Sequence, residues 1–276
     1  MLFQILRSHD QSDQGESSSN SIAVENVSKR FRIPHERRRT FFENLVAVLG
    51  KQSFSFEEFW VLQEISFSVQ KGEAFGVIGP NGSGKSTLLK ILASVLYPDS
   101  GRVTINGKVA PFLELGVGFQ PDLTAKENVF IYGAIMGLSR NQIQERYDDI
   151  LEFAELRRFE SMKLRNFSSG MYVRLAFSTA IHTDPDIMLV DEVLAVGDES
   201  FRQKCSCKID EFRKVGKTIL LVSHQLQTVK ELCDRSMLLL GGCVAAIGDT
   251  MHVVEEYQRR SKEIPVCQTT GYEHVV

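Results

Sequence analysis

Gly79-Pro80-Asn81-Gly82-Ser83-Gly84-Lys85-Ser86 constrains this chain more than any other segment, because it fills the pattern G-x-x-x-x-G-K-[ST] completely. It follows Ala74 to Ile78, an apolar run that reads as a buried strand, and it opens the helical run Thr87 to Ser94. Strand, glycine-rich turn and helix in that order make a cradle for polyphosphate. Glycine is required where backbone N–H groups curl closely around an anion, and the helix N-terminus adds its positive end. Lys85 is placed to reach the β- and γ-phosphates of a nucleotide and Ser86 to offer a hydroxyl to Mg²⁺, with Thr87 completing the binding set. A nucleotide and Mg²⁺ are therefore the expected ligands.

Two further apolar runs end abruptly in polar residues. Ile187-Met188-Leu189-Val190 stops at Asp191-Glu192, and Thr218 to Val222 stops at Ser223-His224. Open α/β sheets bind ligands at the carboxyl ends of their strands. Asp191 suits a carboxylate that holds Mg²⁺ through its water shell, and Glu192 suits one that polarises the attacking water. His224 is placed to hydrogen-bond the γ-phosphate.

Alternation of such runs with helical patterns predicts a mainly parallel sheet. Ile22-Ala23-Val24 and Val61 to Val69 alternate as half-buried strands do, and residues 121–182 carry helical patterns without a clear strand, as an inserted helical lobe would. Residues 1–20 end in a serine-rich stretch and read as a flexible tail; the folded domain is expected over 21–260, and 261–276 as a second tail. Between the first two strands lies a long connection, Pro34 to Phe59, with an amphipathic insertion expected at 34–58. Phe41, Leu45 and Leu49 recur every fourth residue behind Arg37-Arg38-Arg39, a basic-started helix whose apolar face suits its own domain, a membrane partner or lipid headgroups.

Composition closes off other classes. The 276 residues carry a net charge of −3, so no global positive field points to nucleic acid. The longest near-apolar run, Met237 to Gly248, is short and broken by glycines, well below the ~20 residues of a membrane span. Met1 to Leu6 is too short for a signal-peptide core, and a cytoplasmic chain is expected. Five cysteines without C-x-x-C spacing read as reduced thiols, with Cys205 and Cys207 on different faces of one helix.

A phosphate loop names a nucleotide and no task. Phe167-Ser168-Ser169-Gly170-Met171, followed by Arg174, resembles the L-S-G-G-Q signature of the ABC ATPases; Phe, Ser and Met replace Leu, the first Gly and Gln. Gln120, in Gly116-Val117-Gly118-Phe119-Gln120-Pro121, matches the family's Q-loop, Asp198 its D-loop aspartate, His224 its switch histidine and Phe31 its adenine-stacking aromatic. The resemblance spans about Ile22 to Tyr257. It implies a RecA-like, mainly parallel α/β core with an antiparallel β subdomain and an inserted helical subdomain that carries the signature. It also implies ATP as the nucleotide, catalytic roles for Glu192, His224, Lys85 and Gln120, a metal set of Ser86, Gln120 and Asp191, and nucleotide contacts from Ser168, Ser169, Gly170 and Asp198.

Leu113 to Phe119, Asp191 to Asp198 and the insertion before Phe59-Trp60 look like one branch, the ATPase subunits that export O-antigen, teichoic acid and capsule. That likeness implies a head-to-tail homodimer driving a separate polytopic permease at the cytoplasmic face of the bacterial inner membrane, with a lipid-linked polysaccharide as cargo. Some members of the branch carry a further glycan-binding domain; here the sequence ends about twenty residues past the core, so glycan recognition is expected elsewhere. Some also have histidine where Gln120 stands. The rival expectation is a soluble ABC-type ATPase of DNA repair or translation, disfavoured by a lone phosphate loop without extended heptads.

Overall fold

The computed structural model describes residues 20–34, 56–113, 115–191 and 197–263. Nine strands and seven α-helices occupy them. In chain order these are β1 (Asn20–Pro34), β2 (Phe56–Gln70), β3 (Ala74–Ile78), α1 (Lys85–Leu92), β4 (Ser100–Ile105), β5 (Val109–Pro111), α2 (Ala125–Ile135), α3 (Arg140–Ala154), α4 (Ser169–Ile181), β6 (Ile187–Val190), α5 (Glu199–Lys214), β7 (Thr218–Val222), α6 (Leu226–Leu232), β8 (Arg235–Leu240), β9 (Cys243–Asp249) and α7 (Thr250–Glu263).

Six strands form one sheet in the order β5-β6-β7-β3-β8-β9, parallel except for the β8–β9 hairpin. Strands β3, β6 and β7 are apolar at almost every position because both faces are covered. Their alternation divides the core in two. Phe75, Val77, Leu189, Leu220 and Val222 face a cluster with α1 and the strands β1 and β2. Ile78, Met188, Val190, Ile219 and Leu221 face the other cluster, with the helices between β5 and β6. The second, antiparallel sheet runs β2-β1-β4.

The sequence expectations need three corrections. β1 begins at Asn20, inside the expected tail, because Asn20 pairs with Gln70. Part of the expected 34–58 connection is strand: Pro34 lies opposite Phe56 and Phe31 opposite Phe59, so β1 and β2 extend together as a two-stranded arm. Arg30 and Arg32 both ion-pair with Glu58 there, and Arg30 lies over the Trp60 ring, which holds the arm together beyond the apolar core. Helix α7 continues to Glu263, past the expected boundary at 260. The expected amphipathic helix from Arg37 to Leu49 and most of both tails lie outside the described residues.

Candidate functional site

The phosphate loop follows directly from β3, the strand flanked by β7 and β8. Gly79 has φ +153°, and a Cβ there would sit 2.2 Å from the Leu239 carbonyl oxygen. Gly84 has φ +102°, and its Cβ would fall 2.8 Å from the Val61 carbonyl oxygen. Both positions thus exclude any L side chain on backbone contacts alone. Gly84 is the N-cap of α1 and supplies no side-chain cap, so the first N–H groups of that helix stay available to an anion.

Lys85, only 7% exposed, folds its ammonium back into the loop and donates to the carbonyls of Gly79 (2.8 Å) and Pro80 (2.9 Å). Beside it the buried Ser83 hydroxyl finds no hydrogen-bond partner among the described residues. A buried polar atom without a partner, an uncapped helix start and a buried ammonium together fit a polyanion. Pro80, Asn81, Gly82 and Ser86 lie on the exposed side of the loop, and Thr87 is half-buried.

The strand ends bring the other groups to the same edge. Asp191 directly follows β6 and is half-buried; Ser223 and the exposed His224 follow β7, with the Ser223 amide bonded to the Val77 carbonyl next to the loop. Ser86, Asp191 and Gln120 offer oxygen donors, the chemistry that a hard divalent cation takes up. Among the described residues no three His, Cys, Asp or Glu side chains converge, so such an ion would draw further ligands from phosphate and water. Glu192 lies outside the described residues. Phe31, 39% exposed on the β1–β2 arm, has the Lys29 ammonium 5.7 Å from its ring centre.

Gln120 belongs to the loop before α2, with its side chain exposed. Ser168 and Ser169 are also exposed, at the start of α4, where the Ser168 hydroxyl caps the helix by accepting from the Met171 amide (3.2 Å). Gly170 is half-buried. Asp198 caps α5 in the same way, accepting from the Phe201 amide at 3.0 Å. That N–H, followed by the Arg174 guanidinium, holds the Asp198 carboxyl below its ordinary range. Lys204 and Arg174 do the same to Glu155, the C-cap of α3.

Sequence reasoning missed two connections. Arg174 donates to both Glu155 (2.8 Å) and Asp198 (2.6 Å), and Asn128 binds the backbone of Gln120 from inside the helical lobe. Arg174 stood in the signature pattern, but its partners are 19 and 24 residues away in the chain. An asparagine among the apolar residues of α2 was the one signal for Asn128.

A family model described as ABC transporter matches residues 62–195. The O-antigen export system ATP-binding protein RfbB of Klebsiella pneumoniae is 45% identical over 202 residues, covering 73% of this chain and 82% of that protein. The protein of the same name from Myxococcus xanthus is 43% identical over 245 residues, 87% of this chain but 56% of its own length, so the chain spans little more than half of that relative. The teichoic acids export ATP-binding protein TagH of Lactiplantibacillus plantarum is 38% identical over 254 residues, 91% of this chain and 68% of that protein. Among solved structures, a dimeric ATP-binding cassette in a post-hydrolysis state bound to ADP and Pi has the same fold, with a TM-score of 0.65 at 24% identity over 83% of this chain and 98% of that one.

Proposed function

The chain belongs to the ABC transporter family of ATP-binding proteins, and on that premise we propose that it hydrolyses ATP to drive a separate membrane permease exporting a lipid-linked surface polysaccharide. The names of its relatives support the cargo class, O-antigen or teichoic acid. No helix among the described residues is long and apolar enough to cross a membrane.

Gly170 is the observation that supports a site shared between two copies. It stands in the first turn of α4 with an ordinary φ, and a Cβ there would meet nothing nearer than the Ser168 hydroxyl at 3.8 Å. Glycine costs a helix interior roughly 1 kcal/mol relative to alanine, yet the described residues of this protomer give no steric reason for it. A close approach from outside the protomer does. In a head-to-tail homodimer the Ser168-Ser169-Gly170 turn of one copy closes over the phosphate loop of the other, and the start of α4 faces the γ-phosphate.

Within one protomer, Lys85 and the loop amides bind the β- and γ-phosphates, Phe31 stacks on the adenine, and Ser86, Asp191 and Gln120 hold Mg²⁺. Bound Mg²⁺ supplies charge neutralisation to the phosphates. Glu192 accepts a proton from the attacking water and His224 donates to the γ-phosphate. Loss of the γ-phosphate removes the charge that holds the halves together. Val117 and Ile135, 51% and 49% exposed near Gln120, offer the permease an apolar contact on the lobe. The setting is the cytoplasmic face of the inner membrane.

Glu192→Gln tests the proposal. It should bind ATP, elute as a dimer with ATP and Mg²⁺, and turn over at least a hundredfold more slowly. Monomeric elution with wild-type turnover would remove Glu192 from the mechanism. In cells, Lys85→Ala should leave the lipid-linked glycan on the inner leaflet.

A further inference from the structure

Asn128 sits on α2 with its side chain fully buried, yet it is among the most heavily hydrogen-bonded side chains of the lobe. Its Oδ1 accepts from the Gln120 amide at 2.6 Å, and its Nδ2 donates back to the Gln120 carbonyl at 3.1 Å. The same Nδ2 also faces the carbonyls of Leu123 (3.3 Å) and Thr124 (2.8 Å), its two N–H groups shared among the three acceptors. One buried amide thus satisfies both backbone groups of Gln120 and closes the turn that leads into the helix.

The rest of the loop is tied to the same body. The Gly116 carbonyl accepts from the Tyr172 hydroxyl on α4, and the Phe119 ring packs edge-on against Tyr132 of α2 and Tyr172 of α4. The Pro121 carbonyl accepts from the Arg165 amide and the Leu123 carbonyl from the Leu164 amide, both from the lobe. Upstream the attachment changes: the Phe112 amide bonds to Leu189 in β6. The backbone of Gln120 is therefore carried by the lobe, while Asp191 and Lys85 are carried by the sheet.

We propose that Asn128 is a positioning residue that fixes the Gln120 backbone to the helical lobe and so sets where the Gln120 side chain stands relative to a Mg²⁺ and γ-phosphate bound at the sheet edge. The inference rests on the role given to Gln120 above. Asn128 itself touches neither nucleotide nor metal. Removing it leaves the Gln120 amide without that partner and its carbonyl held by the Leu123 amide alone, which loosens the loop, weakens the contribution of Gln120 to the metal site and leaves the phosphate loop intact.

The test compares Asn128→Ala, Gln120→Ala and the double variant in the full chain. Expected for Asn128→Ala are amide exchange about tenfold faster over residues 119–124, wild-type ATP affinity in EDTA, and a Mg²⁺ midpoint for ATP-induced thermal stabilisation raised at least threefold. Turnover should fall about tenfold, and the double variant should be no slower than Gln120→Ala. A lower melting temperature with an unshifted Mg²⁺ midpoint, or additive losses in the double variant, would make Asn128 merely structural and overturn the proposal. If Asn128→Ala does not fold, Asn128→Asp keeps an acceptor for the Gln120 amide and loses the donated bonds; it must still raise the Mg²⁺ midpoint, and an unshifted midpoint overturns the proposal. Wild-type Mg²⁺ dependence in Gln120→Ala would instead overturn the reading of Gln120 itself, a result separable from any failure at Asn128.

Discussion

Arg174 Nη2 donates to Asp198 Oδ2 at 2.6 Å, joining the helix capped by Ser168 to the helix capped by Asp198. The other arm of the guanidinium donates to Glu155 at 2.8 Å, and its plane lies 4.9 Å from the Phe201 ring centre. A single planar fork thus sets the relative position of α3, α4 and α5. Lysine carries the charge but not the fork. Arg174→Lys should therefore behave almost as Arg174→Ala does, with both lowering ATP turnover about tenfold, about 1.4 kcal/mol in barrier. Steady-state turnover at saturating ATP checks this, and wild-type turnover in Arg174→Lys would show that charge alone suffices.

The same junction is expected to weaken in acid. Glu155 and Asp198 are both depressed in the folded chain, from ordinary values of 4.5 and 3.8. A depressed acid binds more protons unfolded than folded, so its contribution is fully present above the ordinary value and is lost as pH falls toward the lower folded value. Urea midpoints should show no effect of this pair between pH 7 and about 5.5 and a decline below about 4.5. Arg174→Ala and Asp198→Asn should each flatten that acid limb relative to wild type. An acid limb of unchanged steepness in both would mean that the ion pairs contribute nothing to folding.

Much of this architecture was legible because burial on both faces leaves a plain mark. Ala74 to Ile78, Ile187 to Val190 and Thr218 to Val222 read as strands and are β3, β6 and β7, with no polar residue interrupting them between their ends. The β1–β2 arm was illegible for the opposite reason. Arg30 to Pro34 and Phe56 to Trp60 pair beyond the core, where cross-strand charges and rings replace the apolar alternation that announces a strand. In the run from Met237 to Gly248, the Gly241-Gly242 pair marks a hairpin between β8 and β9. At the site, the loop and strand-end residues follow local patterns. Arg174 with Asp198 and Asn128 with Gln120 are long-range or backbone-directed pairings that no spacing encodes.

The glycine positions of the phosphate loop make a steric prediction. Gly79→Ala forces a Cβ to within 2.2 Å of the Leu239 carbonyl oxygen, and Gly84→Ala to within 2.8 Å of Val61 and 2.7 Å of the Leu62 side chain. The positive φ adds strain at both. Each should destabilise the chain by about 2 to 3 kcal/mol and abolish nucleotide binding, Gly79→Ala more severely. Chemical denaturation with and without ATP measures both effects. Full stability with lost binding would assign these glycines to the ligand alone.

Thiol reactivity should follow burial, on α5 and beyond it. Cys205 and Cys233 are buried, which pushes both thiols up to about 12, while Cys207 and Cys243 are exposed. On a Cys267→Ser background, Ellman's reagent at pH 8 should titrate the latter pair rapidly and the former pair only after denaturation. Rapid native-state reaction of Cys205 would contradict the packing of α5 on the lobe.

Gly170→Ala separates the fold from the shared site. Among the described residues, and apart from its chain neighbours and its own helix backbone, alanine at this first-turn position meets no atom closer than 3.8 Å, the φ is not in the left-handed region, and a methyl group restricts the unfolded chain. The isolated protein should therefore be more stable, by about 0.4 to 1 kcal/mol. If a second copy places its nucleotide against this turn, the same methyl occupies space that the γ-phosphate requires, and one methyl in a close-packed contact is enough to forbid it. Gly170→Ala should then bind ATP as a monomer with wild-type affinity, fail to dimerise in the Glu192→Gln background, and lose turnover by at least a hundredfold. Denaturation, nucleotide binding and analytical ultracentrifugation read these three quantities separately. A variant that is stabilised, dimeric and fully active would show that nothing approaches Gly170, and the shared site would have to lie elsewhere.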